Sequence, residues 1–287
     1  MRLENKEIIL DLTEKGGEMT ALTLKSNNVQ YLWQGDDTFW AGKNPSLFPQ
    51  VGNTYTNTYE IDGRIYAMKN HGFIRNSELT CISSNENSAT FQLVANKDTL
   101  DVYPFDFDYR ITYSIDGAKV KISYDITNTS ETEMPFGFGL HPGFNCPLEQ
   151  GESFSDYSIV FDQEEQLEQV HFDQKKEKPH YSTQLTMKEL PLSYKTIMDA
   201  ATLIYKGMKS QYVTLKGPKH AVRLSIQPFP LFAVWTSSEN APFVCLEPWY
   251  SHGDFEKANV PFEKREGTII LKPGSTFHTS YTIEVLS

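Results

Sequence analysis

The sequence predicts an all-β protein, folded as a large antiparallel β-sandwich. Apolar residues alternate with polar ones at period two through most of the chain, which is typical of strands with one buried face. Turn-forming pairs such as Asp-Gly at 62–63 and 116–117 separate these runs. Helical periodicity is confined to Tyr194–Ala201 and, weakly, to a turn near Ser46–Phe48. Because each strand must bury its apolar face, we expect two large sheets packed face to face.

The central hairpin gives the clearest pattern of strands. In Tyr109–Ile115 every second residue is Tyr or Ile, and Val120–Ile126 repeats the alternation after the turn at Asp116-Gly117. The charge-rich stretch Gln163–Thr186 is expected to be an extended surface excursion. No linker interrupts the chain, so residues 1–287 are predicted to form a single domain. In chain order, the other predicted strands are Ile8–Leu12, Met19–Leu24, Thr90–Ala95, Val213–Leu215, Val222–Ile226, Leu231–Trp235, Phe243–Leu246, Thr268–Leu271 and Thr276–Val285.

Composition excludes several classes of partner. The formal net charge of −11 disfavours nucleic acid and anionic membranes, which require clustered Lys and Arg. The basic run at 174–178 contains an acid and reads as solvated loop. No leader or membrane-length apolar run is present, and Cys81, Cys146 and Cys245 lack the spacing of a metal or redox motif. We therefore expect a soluble cytoplasmic protein with reduced thiols.

Motifs for nucleotide chemistry are also missing from the sequence. No GxGxxG follows a strand, and Gly35 and Gly42-Lys43 have the wrong spacing for a phosphate-binding loop. A GxSxG nucleophile elbow is absent as well. The sequence therefore predicts a protein that needs no cofactor.

His141 is the first candidate for chemistry. Pro142 keeps it in extended backbone, and Gly139 and Gly143 allow backbone or ligand to approach closely. Because histidine titrates near neutral pH, His141 could act as a general acid. A core histidine that is bonded to a neighbouring carbonyl is the alternative.

Two further segments carry polar groups beside residues that restrict or free the backbone. His71 and Arg75 lie in a polar stretch between strands, where a surface pair is the alternative to a binding role.

Glu247 interrupts the apolar strand 241–249, so it must be paired or bonded, and low dielectric would raise its pKa. Glu247 is thus either a general base or a structural ion pair. Trp249 could stack on a sugar ring or pack in the core.

Taken together, these segments resemble the aldose 1-epimerase (galactose mutarotase-like) family, particularly its LacX-like branch. The resemblance covers most of the chain from about residue 40 to 250, and the combination of GxHPxF with a late Glu-Pro-Trp is its most specific part. The matching stretches are Asn44–Gly52, Asn70–Arg75, Tyr103–Phe105, Met134–Phe144, Trp235 and Val244–Trp249.

The resemblance implies a β-sandwich with an open cleft and cofactor-independent interconversion of hexose anomers. Carried over by position, Glu247 is the base at the C1 hydroxyl, and His141 is the acid at the ring oxygen. His71 polarises the sugar near that oxygen, and Arg75 holds hydroxyls. The family's substrate-binding aspartate has no clear counterpart, since Asp199 lies in roughly the right region but in no matching motif.

Several rival readings stay open at this point. A glycoside hydrolase would need two flanking carboxylates, and a metal site of His71, His141 and Glu247 lacks close-spaced ligands. A non-catalytic sugar-binding protein would share the fold. A hexose-6-phosphate mutarotase would need further cations, for which Arg64, Lys69 and Arg223 are candidates. We expect a free aldohexose as substrate, no metal, and a monomer or homodimer.

Overall fold

The computed structural model describes residues 1–172, 180–255, 257 and 260–287. The basic run at 174–178 lies outside these residues.

Two short helices are present in the described residues, α1 (Lys97–Val102) and α2 (Tyr194–Ala200), together with 3-10 turns at Ile74–Asn76, Phe154–Asp156 and Phe262–Lys264. The strands are β1 Arg2–Glu4, β2 Ile8–Leu12, β3 Met19–Leu24, β4 Val29–Gln30, β5 Ser46–Leu47, β6 Thr58–Ile61, β7 Arg64–Ala67, β8 Thr80–Ser84, β9 Ser88–Val94, β10 Phe107–Asp116, β11 Lys119–Asn128, β12 Met134–Phe136, β13 Gly139–Leu140, β14 Gly143–Asn145, β15 Ser158–Phe172, β16 His180–Pro191, β17 Leu203–Lys206, β18 Tyr212–Lys216, β19 Ala221–Ser225, β20 Leu231–Trp235, β21 Phe243–Trp249, β22 Ile269–Leu271 and β23 Thr276–Leu286.

One long antiparallel sheet dominates the architecture. Thirteen of its 15 strands follow the order β5-β13-β21-β20-β17-β15-β18-β19-β23-β11-β10-β9-β8, while β14 pairs with β21 and β16 pairs with β15. A separate four-stranded sheet, β1 to β4, and the pairs β12-β22 and β6-β7 complete the described strands. The predicted all-β antiparallel sandwich is therefore confirmed, with most of its strands in one continuous sheet.

The long sheet curves back on itself, which closes the sandwich. Phe48 directly follows β5 at one end of the sheet, and its ring packs 5.2 Å from Tyr109 and 5.3 Å from Phe107 of β10, near the other end. The Tyr109 hydroxyl donates a hydrogen bond to Ser46 Oγ at 2.8 Å. These buried contacts join the two ends of the sheet across one apolar core.

The predicted central hairpin is present. β10 and β11 pair from Phe107↔Asn128 to Asp116↔Lys119, and the alternating Tyr and Ile side chains of β10 are buried. The turn itself comprises Gly117 and Ala118, one residue later than predicted, with Gly117 at φ 55°. Asp62 and Gly63 both have positive φ between β6 and β7, as expected of an Asp-Gly hairpin turn.

One local prediction was wrong. Ser46–Leu47 is the strand β5, paired with β13, and not a helical turn, because pairing with a distant strand overrides weak local propensity. Within the predicted surface excursion Gln163–Thr186, residues 163–172 belong to β15 and residues 180–186 to its partner β16. Much of β16 is exposed on both faces, so its residues lack the apolar alternation that reveals a strand.

In the part of the chain that the structure describes, no helix has the length and apolar character needed to cross a membrane.

Candidate active site

Strand alternation on β21 directs Glu247 away from the main core. Val244 and Leu246 belong to the large apolar core, whereas Cys245 lies in a separate cluster on the opposite face. Glu247 follows Cys245 on that opposite face, because side chains two residues apart share a face. Its neighbour across the strand pair is the small residue Ala233 of β20, which leaves room beside the carboxylate.

His141 and Glu247 form the centre of the site. His141 Nε2 lies 3.3 Å from Glu247 Oε2, and the side chains are 7% and 1% exposed. His141 comes directly after β13, and its backbone N–H donates to Pro45 O at 2.9 Å. Among the described residues, His141 Nδ1 has no hydrogen-bond partner, and the contact of Glu247 Oε2 with His141 Nε2 does not have hydrogen-bond geometry. Polar atoms that are buried without partners in this way are available to bind a ligand.

Aromatic rings hold the imidazole of His141 on several sides. Trp40 stacks on it with ring centroids 4.7 Å apart, and Trp235 meets it edge-on at 5.3 Å. Gly143 makes this possible, since a Cβ there would lie 3.0 Å from the Trp40 ring. The packing fixes the orientation of His141 without using either of its ring nitrogens.

His71 presents a hydrogen-bond donor to the same site. Its ring lies 5.4 Å from that of His141, nearly perpendicular to it. Its Nδ1 accepts a hydrogen bond from the Gly52 N–H at 3.0 Å, so the proton of the neutral ring is on Nε2. The backbone of His71 is left-handed, at φ 65°, and its own N–H donates to Gly52 O at 2.9 Å.

Burial sets the protonation preferences of these three groups. Burial lowers the pKa of His71 to about 3, with a further contribution from the positive charge of Arg75. Burial also lowers the pKa of His141 well below its usual value and raises the pKa of Glu247 well above its own. The indole of Trp249 and the charge of Arg75 oppose the rise at Glu247, although Trp249 Nε1 makes no hydrogen bond of normal geometry to a described residue.

Arg75 is the cation of the site. It lies in the 3-10 turn Ile74–Asn76 and lines the cleft with His71 and Glu247. Its guanidinium has no ion-pair partner among the described residues, although its charge acts on the buried carboxyl of Glu18. Burial raises the pKa of Glu18, and the N–H of Asn44, which donates to Glu18 Oε2 at 3.1 Å, opposes that rise. Arg75 is thus free to bind an oxygen of a ligand.

The five residues predicted from the sequence, Glu247, His141, His71, Arg75 and Trp249, all line one cleft of about 500 Å³. Trp249 is 7% exposed and packs on Leu47 and Val51, so it is both part of an apolar cluster and part of the cleft wall. Sequence reasoning gave no role to the other side chains that line the cleft, although Asn70 and Trp235 belong to the stretches that match the family: Trp40, Asn53, Asn70, Thr202 and Trp235.

Asp199 does not line the cleft. It lies on the exposed side of α2, where it pairs with Lys195 at 2.5 Å. Asp199 therefore does not supply the aspartate for which the sequence shows no clear counterpart. Thr202, just after α2, is the residue of this segment that reaches the cleft wall.

Among the residues that the structure describes, one group of side chains has donor atoms suited to a metal ion. Atoms of His141, Cys245 and Glu247 lie within 4.8 Å of one another, and all three residues are buried. This set differs from the one considered from sequence, because Cys245 takes the place of His71. Burial raises the pKa of the Cys245 thiol well above its usual value, so a metal would have to displace a tightly held proton.

Comparison with known proteins relates the whole chain to one family. The family model described as aldose 1-epimerase matches residues 1–284. Protein LacX of Lactococcus lactis subsp. lactis, in its chromosomal and plasmid forms, is 33% identical over 304 residues, covering 100% of this chain and 99% of the relative.

Solved structures of similar fold agree with this relation. A galactose mutarotase related enzyme from Lactobacillus acidophilus superposes with a TM-score of 0.92 at 26% identity, covering 100% of this chain and 97% of that one. A galactose mutarotase-like protein from Lactobacillus casei gives a TM-score of 0.88 at 26% identity, covering 100% and 99%.

Proposed function

Because this chain belongs to the aldose 1-epimerase family, we propose that it interconverts the α and β anomers of a hexose by acid–base opening of the sugar ring. The observation that carries the proposal is the buried pair of His141 and Glu247, 3.3 Å apart at the floor of a cleft. An anomeric centre needs one base at O1 and one acid at O5, and the cleft offers one group of each kind.

In the proposed reaction, the Glu247 carboxylate removes the proton from the C1 hydroxyl while protonated His141 donates its proton to the ring oxygen. The C1–O5 bond breaks and a C1 carbonyl forms. Rotation about C1–C2 exposes the other face of the carbonyl, and the same transfers in reverse close the ring. His71 donates from Nε2 near the ring oxygen throughout, because its Nδ1 is occupied by Gly52.

The proton count of the pair stays constant during this reaction. Ring opening turns an ionised Glu247 and a protonated His141 into a neutral carboxylic acid and a neutral imidazole. Burial favours these neutral forms at both residues. The environment therefore favours the open-chain stage, while the charge of Arg75 favours ionised Glu247 and also favours neutral His141.

We favour a free aldohexose, such as galactose or glucose, over a hexose phosphate. A phosphate would carry nearly two charges and would need at least two local cations in an acidic protein. Arg75 is the one Lys or Arg side chain that lines the cleft in the described part of the chain. Of the other candidates, Arg223 pairs with Glu284 at 3.3 Å, and neither Arg64 nor Lys69 lines the cleft.

A non-catalytic sugar-binding protein is the main rival, and turnover separates the two. Exchange between anomers should be measured by NMR for galactose, glucose and their 6-phosphates at catalytic concentrations of protein. We expect accelerated exchange of the free hexoses. Binding of a sugar without accelerated exchange would contradict the proposed enzyme, and faster exchange of the phosphates would contradict the preference for free sugars.

We also propose a cytoplasmic setting and a monomeric or homodimeric state. The thiols of Cys81, Cys146 and Cys245 are all free, which agrees with a reducing compartment. Sedimentation of the purified protein would measure its oligomeric state.

A further inference from the structure

A second cavity, of about 630 Å³, adjoins the cleft. The two share Asn53 and Asn70 as lining residues, and the second cavity continues past Gly72, directly after His71. The structure thus provides more space than the acid–base pair needs, and the extra space begins on the His71 side. None of the roles proposed above uses this cavity.

The positions of the proposed acid, base and donor indicate which part of a bound sugar would face the second cavity. Glu247 lies 3.3 Å from His141, and the ring of His141 lies 5.4 Å from that of His71, after which Gly72 borders the cavity. If Glu247 acts at O1 and the histidines act at O5, the ring carbon beyond O5 is C5, which carries C6, and these atoms lie on the His71 side, where the cleft and the cavity share Asn53 and Asn70. A substituent on O6 would therefore extend into the second cavity.

We propose that the second cavity binds a neutral glycosyl residue linked to O6 of the hexose, so that the substrate is a reducing 1→6-linked disaccharide. This inference rests on the proposed function, since it uses the assignment of Glu247 and the histidines to O1 and O5.

The lining of the second cavity suits a sugar better than a phosphate. Asn57 and Asn76 add amides that can donate and accept hydrogen bonds with hydroxyls, and Met68 and Phe73 supply apolar surface for a ring face. Lys69 is the one charged side chain lining the cavity in the described residues. A phosphate dianion would call for more positive charge than that.

A substrate comparison tests the proposal first. Anomer exchange at the reducing end should be measured by NMR for isomaltose and gentiobiose, which are 1→6-linked, and for maltose and cellobiose, which are 1→4-linked. We expect kcat/KM to be at least about tenfold higher for the 1→6-linked pair. Equal values for the two linkages, or a preference for the 1→4-linked pair, would overturn the proposal.

Blocking the cavity gives an independent test. Ala67 is an exposed residue of β7 that lines the second cavity but not the cleft. Ala67→Phe should lower kcat/KM for isomaltose about tenfold and leave that for glucose unchanged. Ile65→Phe is the matched control, because Ile65 is on the same strand, 74% exposed and outside the cavity lining.

The outcomes separate this proposal from the proposed function. Absence of exchange with every sugar would contradict the enzyme itself. If the unmodified protein exchanges the anomers of glucose but Ala67→Phe loses turnover of glucose and isomaltose equally, only the second binding site is overturned. Glucose 6-phosphate as the best substrate, with turnover that falls in Lys69→Gln, would replace the glycosyl residue with a phosphate.

Discussion

His71 links the chemistry of the site to the stability of the fold. Its pKa is about 3 in the folded protein, because of burial and the charge of Arg75, against an ordinary value of 6.5. Between these two values the unfolded chain binds more protons at this residue than the folded one does. The contribution of His71 to stability is therefore fully present above about pH 6.5 and is lost as the pH falls toward 3.

His71→Asn should make the protein less sensitive to acid. Asn tolerates the left-handed backbone of this position and does not titrate. We expect the urea midpoint of the variant to fall less than that of the unmodified protein between pH 7 and pH 4. His278→Asn is the control, since His278 is exposed. Parallel pH dependences for His71→Asn and the unmodified protein would show that His71 is not buried in its neutral form.

The group of His141, Cys245 and Glu247 calls for a test of metal dependence. In the proposed mechanism the pair moves protons without a metal, so anomer exchange should survive exhaustive dialysis against EDTA. Loss of turnover on dialysis, with recovery on adding Zn²⁺, would favour a metal mechanism. Cys245→Ser would then be expected to weaken the recovery, because it removes the thiolate ligand.

The sequence identified the polar residues of the cleft better than its aromatic ones. Glu247 and His141 stand out because each is a polar residue among apolar neighbours beside a proline. Trp40 gives no such signal, since its contact with His141 arises only when β13 and β14 bring residue 141 back to the loop at 40. Asp199 was noted only for its approximate place in the chain, which does not determine which way a helical residue faces.

At the scale of the elements, the approach of Gly72 to Phe48 positions His71. Gly72 has φ 72°, and a Cβ on it would lie 2.2 Å from the carbonyl oxygen of Phe48. Gly63 in the β6–β7 turn has a similar φ of 76°, but nothing lies within 4 Å of its Cβ position. Comparing a substitution at Gly63 with one at Gly72 therefore separates two costs in stability: that of a left-handed backbone with a side chain, and that of a steric clash.

Gly72→Ala should destabilise the protein more than Gly63→Ala does. The left-handed conformation alone costs about 1–2 kcal/mol, so Gly63→Ala should lower the free energy of unfolding by about that amount. Gly72→Ala should cost clearly more and also reduce anomer exchange, because the backbone that holds His71 must shift. Chemical denaturation and activity assays would measure both effects. Equal losses for the two variants, with normal activity, would contradict the role of this close approach.

The strands that the sequence predicted best are five or six residues long. Ile8–Leu12, Met19–Leu24 and Leu231–Trp235 were predicted with the bounds that the structure has. The short strands β5, β13 and β14 were missed, because two or three residues cannot display a period. β13 and β14 pair with β21, which lies about a hundred residues further along the chain, and β5 pairs with β13.

At the scale of the whole molecule, the family and the all-β sandwich predicted from the sequence are both confirmed. The single domain stays a prediction. The main apolar core includes residues from Leu3 to Val285, and the contact of Phe48 with Tyr109 joins the ends of the long sheet. Because one core includes residues from nearly the whole chain, we expect it to unfold in a single step.

Unfolding in urea should therefore follow one cooperative transition. All four tryptophans lie in or beside the cleft: Trp40, Trp235 and Trp249 line it, and Trp33 packs on Phe243, which also contacts Trp40 and Trp235. Their fluorescence reports on the site, whereas circular dichroism reports on the strands throughout the chain. The two signals should give the same midpoint. Separate midpoints would indicate two domains or a site that opens independently.

The central claim is that His141 and Glu247 act as one acid–base pair, and a double-mutant comparison of anomer exchange tests it most directly. Glu247→Gln and His141→Asn should each lower the rate about 10²-fold or more. The double variant should lose little beyond either single one, because neither group can complete the reaction without its partner. Glu239→Gln, at an exposed position, is the control. A near-normal rate in either single variant that folds normally, or losses that multiply fully in the double variant, would contradict the claim.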